Sequence, residues 1–276
     1  MTSSVGYPPG YSEAEARRLA EQATLLEDLT ENLFLRAGLA RVMNVLDAGC
    51  GLGDVSFLAA RLVGESGSVL GIDRAPSSVE TARRRAEYHR VTHATFMEAD
   101  LSTFRPDRTF DAIVGRLVLL YVPDAASVLR RLSGAVRRGG IIAFQEYDMS
   151  QAAQEPESEL FKQVRRWILE TFRAAGVQVN MGTKLYATYL RAALPHPTII
   201  SAALVHCGPT ASRGYEDIAG VVRSLLPLIE SNGIASSAEI EIDTLADRLQ
   251  EDALANERVY FMPRLVGAWA RVGEAV

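Results

Sequence analysis

The sequence predicts an α/β chain, a doubly wound and mostly parallel sheet with helical segments covering it. Three observations carry that expectation. Short apolar runs at 45–46, 69–72, 95–97, 112–114 and 141–144 alternate with helical stretches, the pattern of buried parallel strands joined by right-handed crossovers. The first run leads into a glycine-rich turn that opens a helix. After Asp148 the alternation stops and amphipathic helical patterns take over.

The elements follow from local signals. Beyond a flexible start with Gly6, Pro8, Pro9 and Gly10, Ser12 and Glu15 have capping-box spacing, so a helix begins there. Leu19, Ala23, Leu26, Leu29, Leu33 and Leu35 carry it to Gly38 as one bent helix or two packed ones. Pro76, with Ser77 and Glu80 as a second capping box, marks the helix after Asp73. A helix from Asp124 is expected to run to Gly139-Gly140, just before the strand at 141. Leu160, Phe161, Val164, Trp167, Ile168 and Phe172 describe a helix ending at Gly176, and 183–193 a second. Residues 198–205 read as a strand, 217–229 and 244–255 as helices, and 266–272 as a last strand. Pro227 should bend or shorten the first of those two helices. Residues 1–40 are thus an N-terminal helical cover, and 41–276 form the main domain, with helical insertions at about 151–196 and 212–257.

Composition narrows the function. With 276 residues, 48% apolar and 23% charged, the chain can bury a large core. A net charge of −5 argues against a surface that collects phosphate backbones, so nucleic acid is not an expected partner. Arg83-Arg84-Arg85 and Arg137-Arg138 read as solvated helix faces. Cys50 and Cys207 form neither a disulfide framework nor a zinc spacing, and no metal is expected. No apolar stretch approaches the length of a membrane span and no leader pattern is visible, which points to a cytoplasmic protein with no membrane partner.

The most informative stretch is Val45-Leu46-Asp47-Ala48-Gly49-Cys50-Gly51-Leu52-Gly53, a strand entering a turn where glycine allows positive φ and close approach to a ligand. A dinucleotide fingerprint starting at Gly49 meets Asp54 where its third glycine belongs. Acidic residues around the loop suit a cationic amine and a sulfonium better than a diphosphate. The second strand ends at Asp73, where a carboxylate can accept both ribose hydroxyls and would repel a 2′-phosphate. The third runs into Glu98-Ala99-Asp100-Leu101 on the adenine side, and the fourth, 110–116, ends at Arg116 before an apolar loop reaching Tyr121. All are C-terminal strand ends, where open α/β sheets bind ligands. Residues 40–148 are therefore read as a Rossmann-like unit that binds an adenosyl cofactor.

With these segments in order, the chain resembles the class I S-adenosylmethionine-dependent methyltransferases of the small-molecule type. The resemblance implies that Asp47, Gly49, Gly51 and Gly53 hold the methionine and ribose part, with Cys50 contributing backbone only. It implies Asp73 as the ribose ligand, Asp100 and Leu101 as the adenine pair, and Arg116 beside the methionine moiety. Arg74 either lies along the adenine or is solvated. An antiparallel last strand is implied too, with 266–270 as the candidate. Tyr11 and Gln22 are candidates to close the methionine end.

Methyl transfer needs alignment and desolvation more than a base. The loop after the fourth strand reads Arg116-Leu117-Val118-Leu119-Leu120-Tyr121, in place of the Asn-Pro-Pro-Tyr type of segment used on amide nitrogens, which favours a small organic acceptor with apolar surface. Tyr121, Glu146, Tyr147, Asp148 and His206 are the candidates to face it. The acceptor and the methylated atom, O, N or C, stay open, as does a homodimer. Two alternatives remain: a relative that binds the cofactor and steers a rearrangement or cyclisation, or a non-catalytic cofactor-binding partner subunit. The helical segments 12–38, 151–196 and 212–257 are expected to cover the strand ends, burying Val221, Val222, Leu225, Leu228, Leu245 and Leu249 against them.

Overall fold

The computed structural model describes residues 13–273. The chain runs α1 (Glu13–Ala37), β1 (Asn44–Ala48), α2 (Asp54–Val63), β2 (Ser68–Asp73), α3 (Pro76–His89), β3 (Ala94–Glu98), β4 (Phe110–Arg116), α4 (Ala125–Ser133) and β5 (Val136–Asp148). It continues through β6 (Ala153–Glu155), α5 (Glu159–Ala174), α6 (Met181–Arg191), β7 (Thr198–Ala202), β8 (Val205–His206) and α7 (Ser212–Ser231). The last elements are α8 (Ser237–Ile240), α9 (Leu245–Ala255), β9 (Val259–Phe261) and β10 (Arg264–Arg271). All five sequence-predicted apolar runs lie in β1 to β5.

Contacts divide the chain into two units. The larger takes in 13–146, Met181–Ser201 and 266–273; the smaller takes in Tyr147–Asn180 and Ala202–Leu265.

The larger unit is built on a seven-stranded sheet in the order β3-β2-β1-β4-β5-β10-β7, with parallel pairing from β3 through β5. The order reverses between β1 and β4, which makes the C-terminal ends of those strands the natural ligand crevice. Val45, Leu46, Asp47 and Ala48 are all buried, because helices pack on both faces. On one side, Leu33, Phe34 and Ala37 of α1 join Val55, Leu58 and Ala59 of α2 over Val45, Ala112, Val114 and Ile141. β10 is the antiparallel strand that the resemblance implied. At its end, Gly139 N–H donates to Val272 O and Val272 N–H to Gly140 O, a bulge with Gly139 at φ +74°. The double glycine therefore kinks β5, whereas α4 already ends at Ser133, six residues short of the expected stop at Gly139.

Other expectations are corrected by tertiary partners. α1 is a single helix, one of the two arrangements expected, but Leu35 on its expected apolar face is 55% exposed. Ser12, and with it the expected capping box, lies outside the described residues. α3 starts at Pro76 with Ala75 as an N-cap without a side-chain hydrogen bond, leaving Ser77 inside the first turn and Glu80 beyond it. The segment 181–196 does not belong with the insertion. The Tyr189 hydroxyl of α6 lies 2.8 Å from Ala268 O and 3.3 Å from Ile142 O, pinning the helix to β10 and β5. Nor are the arginines simply solvated. Arg83 donates to Phe96 O, Arg85 to Leu52 O and Asp54, and Arg137 to Asp111.

The smaller unit has a three-stranded antiparallel sheet, β6-β9-β8, with α5 against α7 and α7 against α9. Its core holds Phe161, Trp167, Tyr215, Val222, Leu225, Leu249 and Tyr260. The expected strand 198–205 is split: β7 belongs to the large sheet and β8 to the small one. α7 extends past Pro227, which is exposed, to Ser231, so the proline does not shorten the helix. Val222, Leu225, Leu245 and Leu249 are buried within this unit, and Val221 and Leu228 only half-buried. α7, which carries four of these residues, packs on α5 and α9 of the same unit.

Replacing Tyr189 with Phe should lower the unfolding free energy by about 1–2 kcal/mol, the scale of a lost buried hydrogen bond. Urea denaturation checks it, and an unchanged midpoint would mean that the hydroxyl does not tie α6 to the sheet.

Candidate active site

The glycine turn is the best-determined part of the site. Gly49, Gly51 and Gly53 have φ of +75°, +52° and +92°, a region that side chains disfavour. Gly49 is also sterically required, since a Cβ there would lie 2.3 Å from Val118 Cγ2. At Gly51, by contrast, a Cβ would meet no protein atom within 4 Å, so bare backbone faces open space. Four bonds hold the turn: Gly49 and Cys50 N–H both donate to Ile72 O at 2.8 Å, Gly53 N–H to Cys50 O at 2.9 Å, and Gly51 N–H to Asp73 Oδ2 at 2.9 Å. From α3, Arg85 donates to Leu52 O at 2.6 Å and to Asp54 Oδ1 at 2.7 Å. Asp54 is therefore charge-paired, and its repulsion of a diphosphate is weaker than the sequence implied.

Three carboxylates surround this turn in different states. Asp47 is fully buried, with Oδ2 accepting the Ser56 hydroxyl at 2.6 Å and Oδ1 lacking a hydrogen-bond partner. Burial pushes its carboxyl up to about 7, against the opposing pull of Ser56 and Arg116. Asp73, at the end of β2, accepts Gly51 N–H on one oxygen and Ala75 N–H at 2.9 Å on the other. Each oxygen keeps a further lone pair for a ligand hydroxyl. Asp100 is exposed, and the Ser102 hydroxyl and N–H hold its carboxyl below the usual range, helped by Arg74 and Arg131. Arg74, exposed, is thus an electrostatic neighbour of Asp100, while Leu101 is buried. Burial, with Asp47 and Asp73 nearby, pushes the Cys50 thiol well up, which removes it as a nucleophile. A bare backbone over open space, a buried carboxylate with an unused oxygen and an acidic strand end fit an adenosyl cofactor with a cationic tail.

Arg116 ends β4 and is held through groups that sequence reasoning missed. Its Nη1 donates to Thr30 Oγ1 of α1 at 3.0 Å, and that hydroxyl lies 2.8 Å from Gln145 Oε1. Thr30 and Gln145 are buried, yet nothing local in the sequence distinguishes them from ordinary core-edge residues. Ser56 was missed for the same reason, and Arg85 because it stands in a run of arginines that reads as a solvated helix face. Gln22 is half-buried on α1, and Tyr11 lies outside the described residues.

The acceptor candidates separate. Tyr121, half-buried, and Glu146 belong to the larger unit; Tyr147 and His206 belong to the smaller. Glu146 is fully enclosed and accepts Val118 N–H at 3.0 Å, Leu119 N–H at 2.8 Å and Leu120 N–H at 3.3 Å. Burial raises its carboxyl to about 8 against those bonds. It is therefore reassigned from facing the acceptor to holding the loop after β4. The His206 ring stacks on Tyr260 at 5.8 Å, its Nε2 is buried without a hydrogen-bond partner, and burial with Arg213 lowers its pKa. Tyr147 is buried and acts electrostatically on the same Tyr260. Among the described residues, no His, Cys, Asp or Glu cluster is placed to hold a metal ion, and no helix is long and apolar enough to cross a membrane.

A family model for a methyltransferase domain matches residues 39–191. Aklanonic acid methyltransferase DauC of Streptomyces sp. (strain C5) is 41% identical over 101 residues, covering 36% of this chain and 46% of its own. Trans-aconitate 2-methyltransferase of Afipia carboxidovorans is 30% identical over 189 residues, 67% of this chain and 66% of that one. The chain thus spans about half the length of the first relative and about two thirds of the second. In fold it is similar to geranyl diphosphate C-methyltransferase from Streptomyces coelicolor A3(2), solved with Mg2+, geranyl diphosphate and S-adenosyl-L-homocysteine. The TM-score is 0.54 at 18% identity, covering 99% of this chain and 88% of that one.

The buried carboxylates make stability depend on pH. Asp47 and Glu146 rise from 3.8 and 4.5 to about 7 and about 8 on folding, so the folded chain binds protons that the unfolded chain has released. Their contribution should be greatest below pH 4 and decline as pH rises to about 8. In Asp47→Asn, the decline between about pH 4 and pH 7 should be roughly halved, since Glu146 still titrates across the same window. Parallel stability curves for the two proteins across that window would refute the burial account.

Proposed function

Because the chain belongs to the methyltransferase-domain family, we propose that it moves the methyl group of S-adenosylmethionine to a small organic acceptor. The observation that carries this reading is the bare Gly51 backbone between the buried Asp47 and the strand-end Asp73. In the proposed complex, Asp73 accepts the ribose hydroxyls, Asp100 and Leu101 border the adenine, and Asp47 and Arg116 supply opposite charges at the amino-acid end. When bound, S-adenosylmethionine supplies a carbon already activated by its sulfonium for in-line displacement. The protein then has to align and to exclude water, for which the buried Leu119 and Leu120 after β4 are suited.

Two relatives are named for acids, aklanonic acid and trans-aconitate, which supports an acceptor bearing a carboxylate. A carboxylate oxygen already carries the attacking electron pair and needs no base.

Labelled S-adenosylmethionine incubated with the protein, a panel of small carboxylic acids and a metabolite extract should give a product heavier by one methylene in mass spectrometry. Conversion without mass gain would move the assignment to rearrangement or cyclisation, and cofactor binding without any product to a partner subunit. In calorimetry the protein should bind S-adenosylmethionine and S-adenosylhomocysteine but not NAD; tighter NAD binding would sink the proposal. Asp73→Ala should weaken cofactor binding by about 1–3 kcal/mol, partly by freeing Gly51 N–H. An unchanged dissociation constant would remove Asp73 from the site.

A further inference from the structure

The loop after β4 is held in a conformation that its own sequence does not favour. Leu117 has φ +54°, a left-handed conformation unusual for a leucine and sustained only by its surroundings. Those surroundings are two consecutive residues of β5. Gln145 O accepts Leu117 N–H at 2.8 Å, and the Glu146 carboxylate accepts the next three backbone N–H groups, Val118, Leu119 and Leu120. The loop so held carries Val118 onto Gly49, where even a Cβ could not be accommodated. Burying a carboxylate to bind backbone alone is an expensive way to shape a loop, since an apolar residue at a strand end would carry no desolvation cost. Such an arrangement persists where the loop geometry itself matters.

We propose that Glu146 is a positioning residue for methyl transfer, clamping Leu117–Tyr121 against the Gly49 turn so that the loop forms a fixed wall beside the transferred methyl. The assignment rests on the methyl-transfer reading above for its consequence in turnover, though not for the clamp itself. Glu146 touches no reacting atom; it acts through three amides.

Hydrogen exchange on the full chain tests it, with S-adenosylhomocysteine as the probe. Glu146→Ala should exchange the amides of 117–121 at least about tenfold faster than the unchanged protein, while the core strands keep their protection. Its affinity for S-adenosylhomocysteine should change less than about threefold, yet transfer of label into the metabolite extract should fall by about tenfold or more, because misaligned reactants lose rate rather than binding. Glu146→Gln keeps an oxygen for the Val118 and Leu119 amides and should restore most of both loop protection and turnover. If Ala does not fold, Gln decides: the Leu120 amide, whose oxygen becomes an NH2 group, should exchange faster while Val118 and Leu119 keep their protection, and unchanged exchange at Leu120 overturns the clamp. Unchanged exchange at 117–121 in Glu146→Ala overturns the clamp, as does a uniform loss of protection accompanied by equal losses of affinity and turnover. If the unchanged protein binds no S-adenosylhomocysteine, the methyl-transfer reading fails, while the exchange comparison in free protein still decides the clamp.

Discussion

The turn between β1 and α2 has to carry three left-handed residues within five positions, and the site is organised around holding it. Glycine makes those conformations accessible, but it also gives the unfolded chain more freedom to lose. The turn is therefore tied down from outside. Ile72 O takes two of its amides, the Asp73 carboxylate a third, and Arg85 anchors its far side at Leu52 and Asp54. Each anchor comes from β2 or from α3 just beyond it. Asp73 consequently has two roles: it braces the cradle and it offers remaining lone pairs to whatever the cradle holds.

A second theme is the buried carboxyl group. Asp47 sits beneath the turn with one oxygen bonded to Ser56 and one unused, and Glu146 lies enclosed behind the loop after β4. Both are energetically unfavourable as anions, which is why burial pushes both carboxyls up. A chain selected for stability alone would fill such positions with apolar side chains. Here one carboxylate leaves acceptor capacity beside the turn and the other shapes the loop that packs on it. The network Arg116–Thr30–Gln145 adds a third buried polar link, joining α1 to the ends of β4 and β5. That link ties the N-terminal helix to the residue at the methionine end in the proposed complex.

The two units show how little of the sheet's architecture depends on the long insertions. α6 and β7 interrupt the smaller unit in sequence yet complete the larger one, with Tyr189 spanning β5 and β10. The smaller unit closes its own core around Trp167, Tyr215 and Tyr260 and adds a small antiparallel sheet. Its helix α7 packs on α5 and α9, a source of apolar faces that a sequence pattern cannot distinguish from packing on a neighbouring surface.

By itself the sequence determined the parallel strands, the glycine turn, Asp73 at its strand end and the family, because each is a local or evenly spaced property. Periodicity reports a buried face, glycine reports φ, and the spacing from Gly53 to Asp73 reports one crossover. Only the tertiary structure decided which groups meet through space. Glu146 looked like an acid–base candidate and is a brace for three amides; Arg85 looked solvated and anchors the cradle; Gly139 looked like a helix stop and makes a bulge against Val272. Thr30 carried no signal at all, since a buried threonine in an amphipathic helix becomes distinctive only when a strand 115 residues away brings Gln145 to its hydroxyl. Partner choice for a polar side chain depends on distances that the folded backbone sets, and a local pattern contains none of them.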